Sequence, residues 1–333
     1  MVTSEDFKAA LDLIEAAHRV LIISHTRPDG DACGSVSAMC DALKAQGKNA
    51  QAVFLSAVPE WYEFLFERRP PIFENEISLN EIRDCDFELI IIVDTNSYVQ
   101  LPGLEDFLRQ TEIPILVFDH HVTTDNIGRV QLVDSSAAAA GQIVFEFLKF
   151  AKWPITRGIA EALFVAFGTD TGWFRFANVD SRILRAAAEL VDAGADPNGI
   201  YRKLYQSYSP ERMRLLIRML NTLELRFEGR VAVQHILKAD FDAAGAKGRD
   251  TENLIDECQR IGSVEVALLF VELKDGGFRC SLRSKGAVDV RKIAQKYGGG
   301  GHVMAAGVNL PGPLEHAEEL ILTEVGQQLG AAS

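Results

Sequence analysis

Leu89-Ile90-Ile91-Ile92-Val93-Asp94-Thr95 decides how the rest of the chain is read. Five aliphatic residues in a row, four of them β-branched, predict a strand buried on both faces. Val20 to Ser24 and Ile115 to Phe118 repeat the pattern, and Ala50 to Leu55 is a further apolar run of strand length. Helical patterns separate or follow these runs. Ser4 to Arg19 is amphipathic with Ser4 as the expected N-cap, and Gly34 to Gln46 follows the first strand. Helical segments are also expected near 59–68, 103–110 and 140–150. Strands alternating with helices predict an α/β fold with a parallel sheet and right-handed crossovers. Such sheets place their sites at the carboxyl ends of the strands. His25, Asp94 and Asp119 each follow directly on an apolar run.

The pattern changes near residue 191. Asp192-Ala-Gly-Ala-Asp-Pro-Asn-Gly199 is a turn-rich break, and Pro210 to Leu225 has the pattern of a connecting helix. Arg230 to Leu237 and Val264 to Val271 are strand-like, and Gly277 to Arg283 pairs with the latter through Lys274-Asp275-Gly276-Gly277. The expected organisation is a parallel-sheet domain over 1–190, a helical linker over 191–228 and a smaller α/β domain over 229–333. At 333 residues the chain is too long for one ordinary core, which agrees with two domains.

Composition narrows the function. No apolar run approaches membrane-span length, and the acidic start MVTSEDFKAALDLIEAAHRV lacks the basic and apolar regions of a signal peptide. The five cysteines form no C-x-x-C pair, as expected for reduced thiols in a cytoplasmic protein without membrane partners. The net charge of −13 argues against a protein that grips long duplex nucleic acid, whose binding rests on a basic face. An anionic substrate should therefore be small, and metal ions could supply the local positive charge.

Chemistry concentrates in His25-Thr-Arg-Pro-Asp29-Gly-Asp31-Ala-Cys-Gly34-Ser35. Carboxylates alternating around a glycine, with an imidazole nearby, suit Mn²⁺ or a similar first-row ion. The plainer reading is a polar loop whose acids cap the next helix. Asp94 at the end of an aliphatic strand needs a hydrogen-bond or metal partner, or simply caps the following loop. Asp119-His120-His121 presents two imidazoles in different directions, and Asp170 lies in Gly168-Thr-Asp-Thr-Gly172 after an apolar stretch. Singly each has an ordinary structural explanation; together they amount to six candidate ligands, with one histidine of the His120-His121 pair for metal and the other facing substrate.

These segments, in order, resemble the motifs of the DHH phosphoesterase superfamily, whose signature is Asp119-His120-His121 here. Gly298-Gly-Gly-Gly-His302 followed by Ala305-Ala-Gly307 is similar to the accompanying DHHA1 domain, and the layout is nearest to the bifunctional nanoRNase/pAp phosphatase group. The resemblance implies an active site in the cleft between the domains and two divalent ions, Mn²⁺ foremost with Mg²⁺ or Co²⁺ as alternatives. His25, Asp29 and Asp94 would hold one ion, and Asp31, His120 and Asp170 the other, with Asp94 bridging. Asp119 would orient a histidine, and His121 would touch the phosphate or protonate the leaving group. Arg283, Ser284, Gly299, Gly300, Gly301 and His302 would grip a terminal phosphate.

The implied substrates are short oligoribonucleotides and pAp, and a homodimer is compatible with the layout. Rival readings are a phosphodiesterase for linear or cyclic dinucleotides such as pApA or c-di-AMP, and a non-catalytic nucleotide-binding module. The glycine-rich domain disfavours a manganese pyrophosphatase, and the absence of a basic or aromatic track disfavours a RecJ-type exonuclease. One stretch departs from the family's usual hydroxyl and acidic residues: Ser135-Ser136-Ala-Ala-Ala-Ala140-Gly141-Gln142. It leaves the ligands intact but bears on the polarity around them.

Overall fold

A computed structural model describes residues 1–330, with the side chain of His302 and residues 331–333 outside the described set. The chain forms two compact units that divide between Ser207 and Tyr208.

In the first unit the order is α1 (Ser4–Ala16), β1 (Arg19–Ser24), α2 (Gly30–Ala45), β2 (Asn49–Val53), α3 (Leu79–Asp84), β3 (Leu89–Val93), α4 (Glu105–Gln110) and β4 (Ile115–Asp119). It continues with β5 (Val130–Val133), α5 (Ala140–Ala151), α6 (Arg157–Asp170), α7 (Ser181–Asp192) and α8 (Pro197–Tyr205). The strands form one parallel sheet in the order β2-β1-β3-β4-β5. The aliphatic strand β3 lies at its centre. Leu89, Ile91 and Val93 face a core with α1, α2, α5 and α6, while Ile90 and Ile92 face a second core with α3 and α4. Burial on both faces is why β3 reads as an unbroken apolar run.

Three local expectations are corrected. Thr3, not Ser4, caps α1, because Thr3 and Asp6 form a reciprocal capping box. Helix α2 begins at Gly30 rather than Gly34, because Asp29 Oδ1 accepts from the backbone N–H groups of Asp31 and Ala32, both at 3.0 Å. The polar stretch from 168 is the last turn of α6, so Asp170 ends a helix. Strand β5, absent from the expected set, pairs with β4 from Leu116↔Val130 to Asp119↔Val133.

The second unit runs α9 (Pro210–Asn221), β6 (Glu224–Arg226), β7 (Val231–Ile236), α10 (Lys238–Ala244), β8 (Val266–Glu272) and β9 (Phe278–Ser284). It ends with α11 (Val290–Lys296), β10 (Gly300–His302), β11 (Ala305–Leu310) and α12 (Leu314–Gln328). Its mixed sheet has the order β10-β11-β9-β8-β7-β6, with only β7 and β8 parallel. Helices α11 and α12 cover one face, and α9 with the 3-10 turn Leu254–Arg260 covers part of the other. Residues 191–228, read from sequence as a linker, are divided between the units. Ile200 and Leu204 of α8 join the core of α1, α2, α5 and α6, and Leu215 and Met219 of α9 join the core beneath β7 and β8 in the second unit.

Candidate metal centre

The carboxyl ends of β1, β3 and β4 bring the predicted residues together. Ser24 Oγ donates to Val93 O at 2.8 Å, tying the ends of β1 and β3 side by side. His25 Nδ1 lies 2.8 Å from Thr26 O; a carbonyl only accepts, so this nitrogen carries the hydrogen. Nε2 is thereby turned inward, 3.2 Å from Asp94 Oδ2 and 3.9 Å from Asp29 Oδ1. His120 is set the same way. Its Nδ1 faces Ala137 O at 3.3 Å, and its Nε2 lies 3.2 Å from Asp170 Oδ2, 3.5 Å from Asp94 Oδ1 and 3.8 Å from Asp31 Oδ2. Anchoring one ring nitrogen to fix the other is the usual orientation of a ligand histidine.

Asp94 is the centre of the arrangement. It is 3% exposed and holds φ at +61°, while its N–H donates to Phe118 O at 2.8 Å. Aspartate is among the few residues that tolerate this left-handed region, and strain of this kind collects at functional sites. Asp31 is fully buried and held from both sides. Its Oδ2 accepts from Ala140 N at 2.5 Å, and its Oδ1 accepts from Gly141 N at 2.9 Å and Ser35 Oγ at 3.0 Å. The first two donors are the N-terminal amides of α5, where unpaired N–H groups and the helix dipole favour an anion.

The run from Ala137 to Gln142 therefore acts through its main chain, with Ala137 O on His120 and two amides on Asp31. Loss of side-chain hydroxyls there removes neither contact. Gly141 is the position with no latitude. A Cβ on it would meet Ala166 Cβ at 2.6 Å, Asp31 Oδ1 at 3.2 Å and Ser35 Oγ at 3.2 Å. Gly141→Val should cost about 1–3 kcal/mol of stability by overpacking and lower turnover on the order of a hundredfold by displacing Asp31. Thermal melts and kcat on the purified variant check both, and unchanged turnover would contradict the role given to this clamp.

Asp119 serves a different purpose. It is fully buried, and its Oδ1 accepts from His121 Nδ1 at 2.7 Å and from His121 N at 3.3 Å. Burial alone would push the His121 ring down, but the bond to Asp119 and the charge of Asp94 carry its pKa above the ordinary value.

Three sets of ligand atoms lie mutually within 4.8 Å: His25, Asp29 and Asp94; Asp31, His120 and Asp170; and Asp94, His120 and His121. The electrostatics show what they lack. Burial, then the charge of Asp94, raises Asp31 to about 7, and burial with repulsion from Asp31, Asp29 and Asp94 lifts Asp170 well above the usual range. Burial opposes charge on His25 and His120, yet their bonds to Asp94 and the surrounding carboxylates bring them to about 10 and about 11. Asp94 Oδ1 is buried and, among the described residues, has no hydrogen-bond donor. A centre of four carboxylates and two inward imidazole nitrogens is a fit for divalent cations, which would replace the protons and meet the orphaned oxygen.

In the second unit the sequence expectations divide. Arg283 lies on the sheet face away from α11 and α12, its Nε 3.3 Å from Asp256 Oδ1. Ser284 is 2% exposed, and its hydroxyl accepts from Gly286 N at 3.0 Å and Val288 N at 3.3 Å in the turn after β9. Strand alternation puts it opposite Arg283. Gly299, Gly300 and Gly301 lead into and form β10, and the side chain of His302 lies outside the described residues. Sequence reading missed Ser35, Gly141 and the Ala137 carbonyl. Only the glycine carried a signal, as a residue standing at a helix start without a turn to explain it.

Comparison with known proteins agrees with this architecture. Residues 19–167 match the DHH family, N-terminal domain, and residues 228–331 match the DHHA1 domain. The chain is 32% identical over 321 residues to the bifunctional oligoribonuclease and PAP phosphatase NrnA of Thermus thermophilus, spanning 94% of this chain and 91% of that protein. It is 26% identical over 296 residues to the enzyme of the same name from Bacillus subtilis, spanning 87% and 89%. The crystal structure of an exopolyphosphatase-related protein from Bacteroides fragilis shares the fold, with a TM-score of 0.92 at 22% identity over 99% of this chain and 98% of that one. Among the described residues no helix is long and apolar enough to cross a membrane. Both domains matched in order, and relatives aligned over about nine-tenths of their length, place this chain in the DHH family of divalent-metal-dependent phosphoesterases, in the branch that carries a DHHA1 domain.

Proposed function

We propose that this enzyme hydrolyses short oligoribonucleotides to nucleoside 5′-monophosphates and converts pAp to AMP. The observation that carries the reading is the convergence of six ligand residues around the buried carboxylates of Asp31 and Asp94, in a chain whose relatives are named for those two activities. His25, Asp29 and Asp94 would hold one divalent ion, and Asp31, His120 and Asp170 would hold the other. Two imidazoles among carboxylates favour Mn²⁺ over Mg²⁺. When bound, the pair of ions supplies Lewis-acid charge to the phosphate and makes a nucleophile of water near neutral pH.

The chain's own groups complete the reaction. Asp119 fixes the His121 ring through Nδ1 and, by raising its pKa, keeps a proton available on it. As water oxygen bonds to phosphorus and the P–O ester bond breaks, His121 delivers that proton to the departing ribose oxygen. Arg283, Gly299, Gly300, Gly301 and His302 bind the phosphate that is not attacked.

Metal binding should release protons. The metal-free centre holds protons on His25 and His120 across the neutral range and on Asp31 up to about pH 7. Apparent Mn²⁺ affinity should thus strengthen between roughly pH 6 and pH 8, with fewer protons released at the higher pH. Calorimetry in buffers of different ionisation enthalpy measures this, and pH-independent affinity would contradict the ligand set. The function itself is tested by product analysis on a 5′-labelled trinucleotide and on pAp. Nucleoside 5′-monophosphates and AMP are expected; 3′-monophosphates, or intact substrates, would refute the reading.

A further inference from the structure

Strand β9 is two-faced. Phe278, Cys280, Leu282 and Ser284 are buried under α11 and α12, while Arg279, Ser281 and Arg283 point to the opposite side. On that side α9 and the Leu254–Arg260 turn cover β7 and β8 through Ala232, Ala267 and Leu269. The neighbouring strand β11 brings Ala305 opposite Arg283, Gly307 opposite Ser281 and Asn309 opposite Arg279. Gly307, Asn309 and Arg279 are exposed. Three polar side chains on β9 and one on β11 therefore share a single row of the sheet.

Both arginines are already aimed. Arg279 Nη2 donates to Thr251 Oγ1 at 2.8 Å, and Arg283 Nε sits 3.3 Å from Asp256 Oδ1. A guanidinium has five N–H donors, so each keeps others for a ligand while its swing is restricted. The floor between them is low. A Cβ on Gly307 would meet nothing nearer than Cys280 O at 3.8 Å, and one on Gly300, its partner on β10, would meet nothing within 4 Å. Neither glycine has positive φ. Strand glycine forfeits packing and chain entropy, and here neither a turn nor a protein neighbour demands it; the remaining use is clearance for a ligand.

We propose that Arg279 and Asn309 grip the nucleotide residue beyond the one held at Arg283, so that this row sets the preference for oligonucleotides over pAp. The inference rests on the oligonucleotide and pAp reading above. Four residues of strand separate the two arginines by roughly 13 Å, too far to share one phosphate. Arg279 pairs with a phosphodiester oxygen, and the Asn309 amide takes a base edge or ribose hydroxyl. In a chain of net charge −13, these two guanidiniums, with donors to spare beside Asp256 and Glu252, supply the positive charge a phosphodiester would meet here.

The test compares wild type, Arg279→Gln and Gly307→Val in Mn²⁺. Gly307→Val adds bulk where the protein leaves room, and valine favours a strand, so folding is preserved. Fluorescence anisotropy measures binding of a labelled trinucleotide with non-hydrolysable linkages, and competition measures pAp. Trinucleotide binding should weaken roughly tenfold or more in each variant, and the ratio of kcat/KM for trinucleotide to that for pAp should fall by a similar factor. Equal losses on both ligands, or unchanged trinucleotide affinity, would overturn the inference. A wild type that binds the trinucleotide through this row yet turns over neither substrate would instead overturn the functional reading.

Discussion

Asp94→Ala should lower turnover on phosphoester substrates by roughly a thousandfold or more. The carboxylate lies within 3.2 Å of His25 Nε2 and 3.5 Å of His120 Nε2, and it belongs to two of the three sets of converging ligand atoms. No other side chain in the centre reaches both imidazoles. Removing it takes away the carboxylate that the Nε2 atoms of His25 and His120 both face. A companion variant separates chemistry from folding. Asn tolerates the left-handed backbone at φ +61° as aspartate does, so Asp94→Asn keeps the turn and loses only the charge. Both variants should melt cooperatively and both should be nearly inactive. Turnover close to wild type in either one, with the protein folded, would contradict the assignment.

Chelation should abolish hydrolysis by the wild type, and Mn²⁺ should restore it better than Mg²⁺. The reason lies in the donors: two inward imidazole nitrogens join four carboxylates, a mixture that first-row ions accept more readily than Mg²⁺ does. Ca²⁺, which seeks six to eight oxygens in a looser shell, should not restore activity. The buried carboxylates add a second readout. With the ions removed, the crowded carboxyls of Asp31 and Asp170 must take up protons to relieve their repulsion, so the melting temperature should fall on chelation and recover with Mn²⁺. Equal rescue by Ca²⁺ would sink the proposal.

Much of the first unit was legible because its signals are local. The aliphatic run of β3 could be little else than a central strand, and the acids and histidines stand at strand ends where the topology needs them. What escaped was decided by neighbours distant in sequence. Helix α2 starts four residues early because Asp29 caps it, whereas Gly30 in the first turn reads as loop until Asp29 is seen accepting two amides. Strand β5 is short and mostly half-buried, so Val130–Val133 lacks the apolar density of the central strands. Asp31 stands in the sequence only as one acid of a polar loop, yet it is completed by amides about 110 residues later, which no spacing rule reveals. Ser281-Leu-Arg283-Ser284 reads as one motif in the sequence, while a strand sends Arg283 and Ser284 to opposite faces.

The most direct test of the account is kcat/KM for RNA of two to about twenty residues in Mn²⁺, with metal content determined on the same samples. An acidic chain whose anion-binding groups are confined to a few residues offers short substrates everything it has and longer ones nothing more. Dinucleotides to pentanucleotides should be cleaved much faster, per enzyme, than the longest chain. Rates that climb steadily with length would contradict the account and mark a processive exonuclease instead.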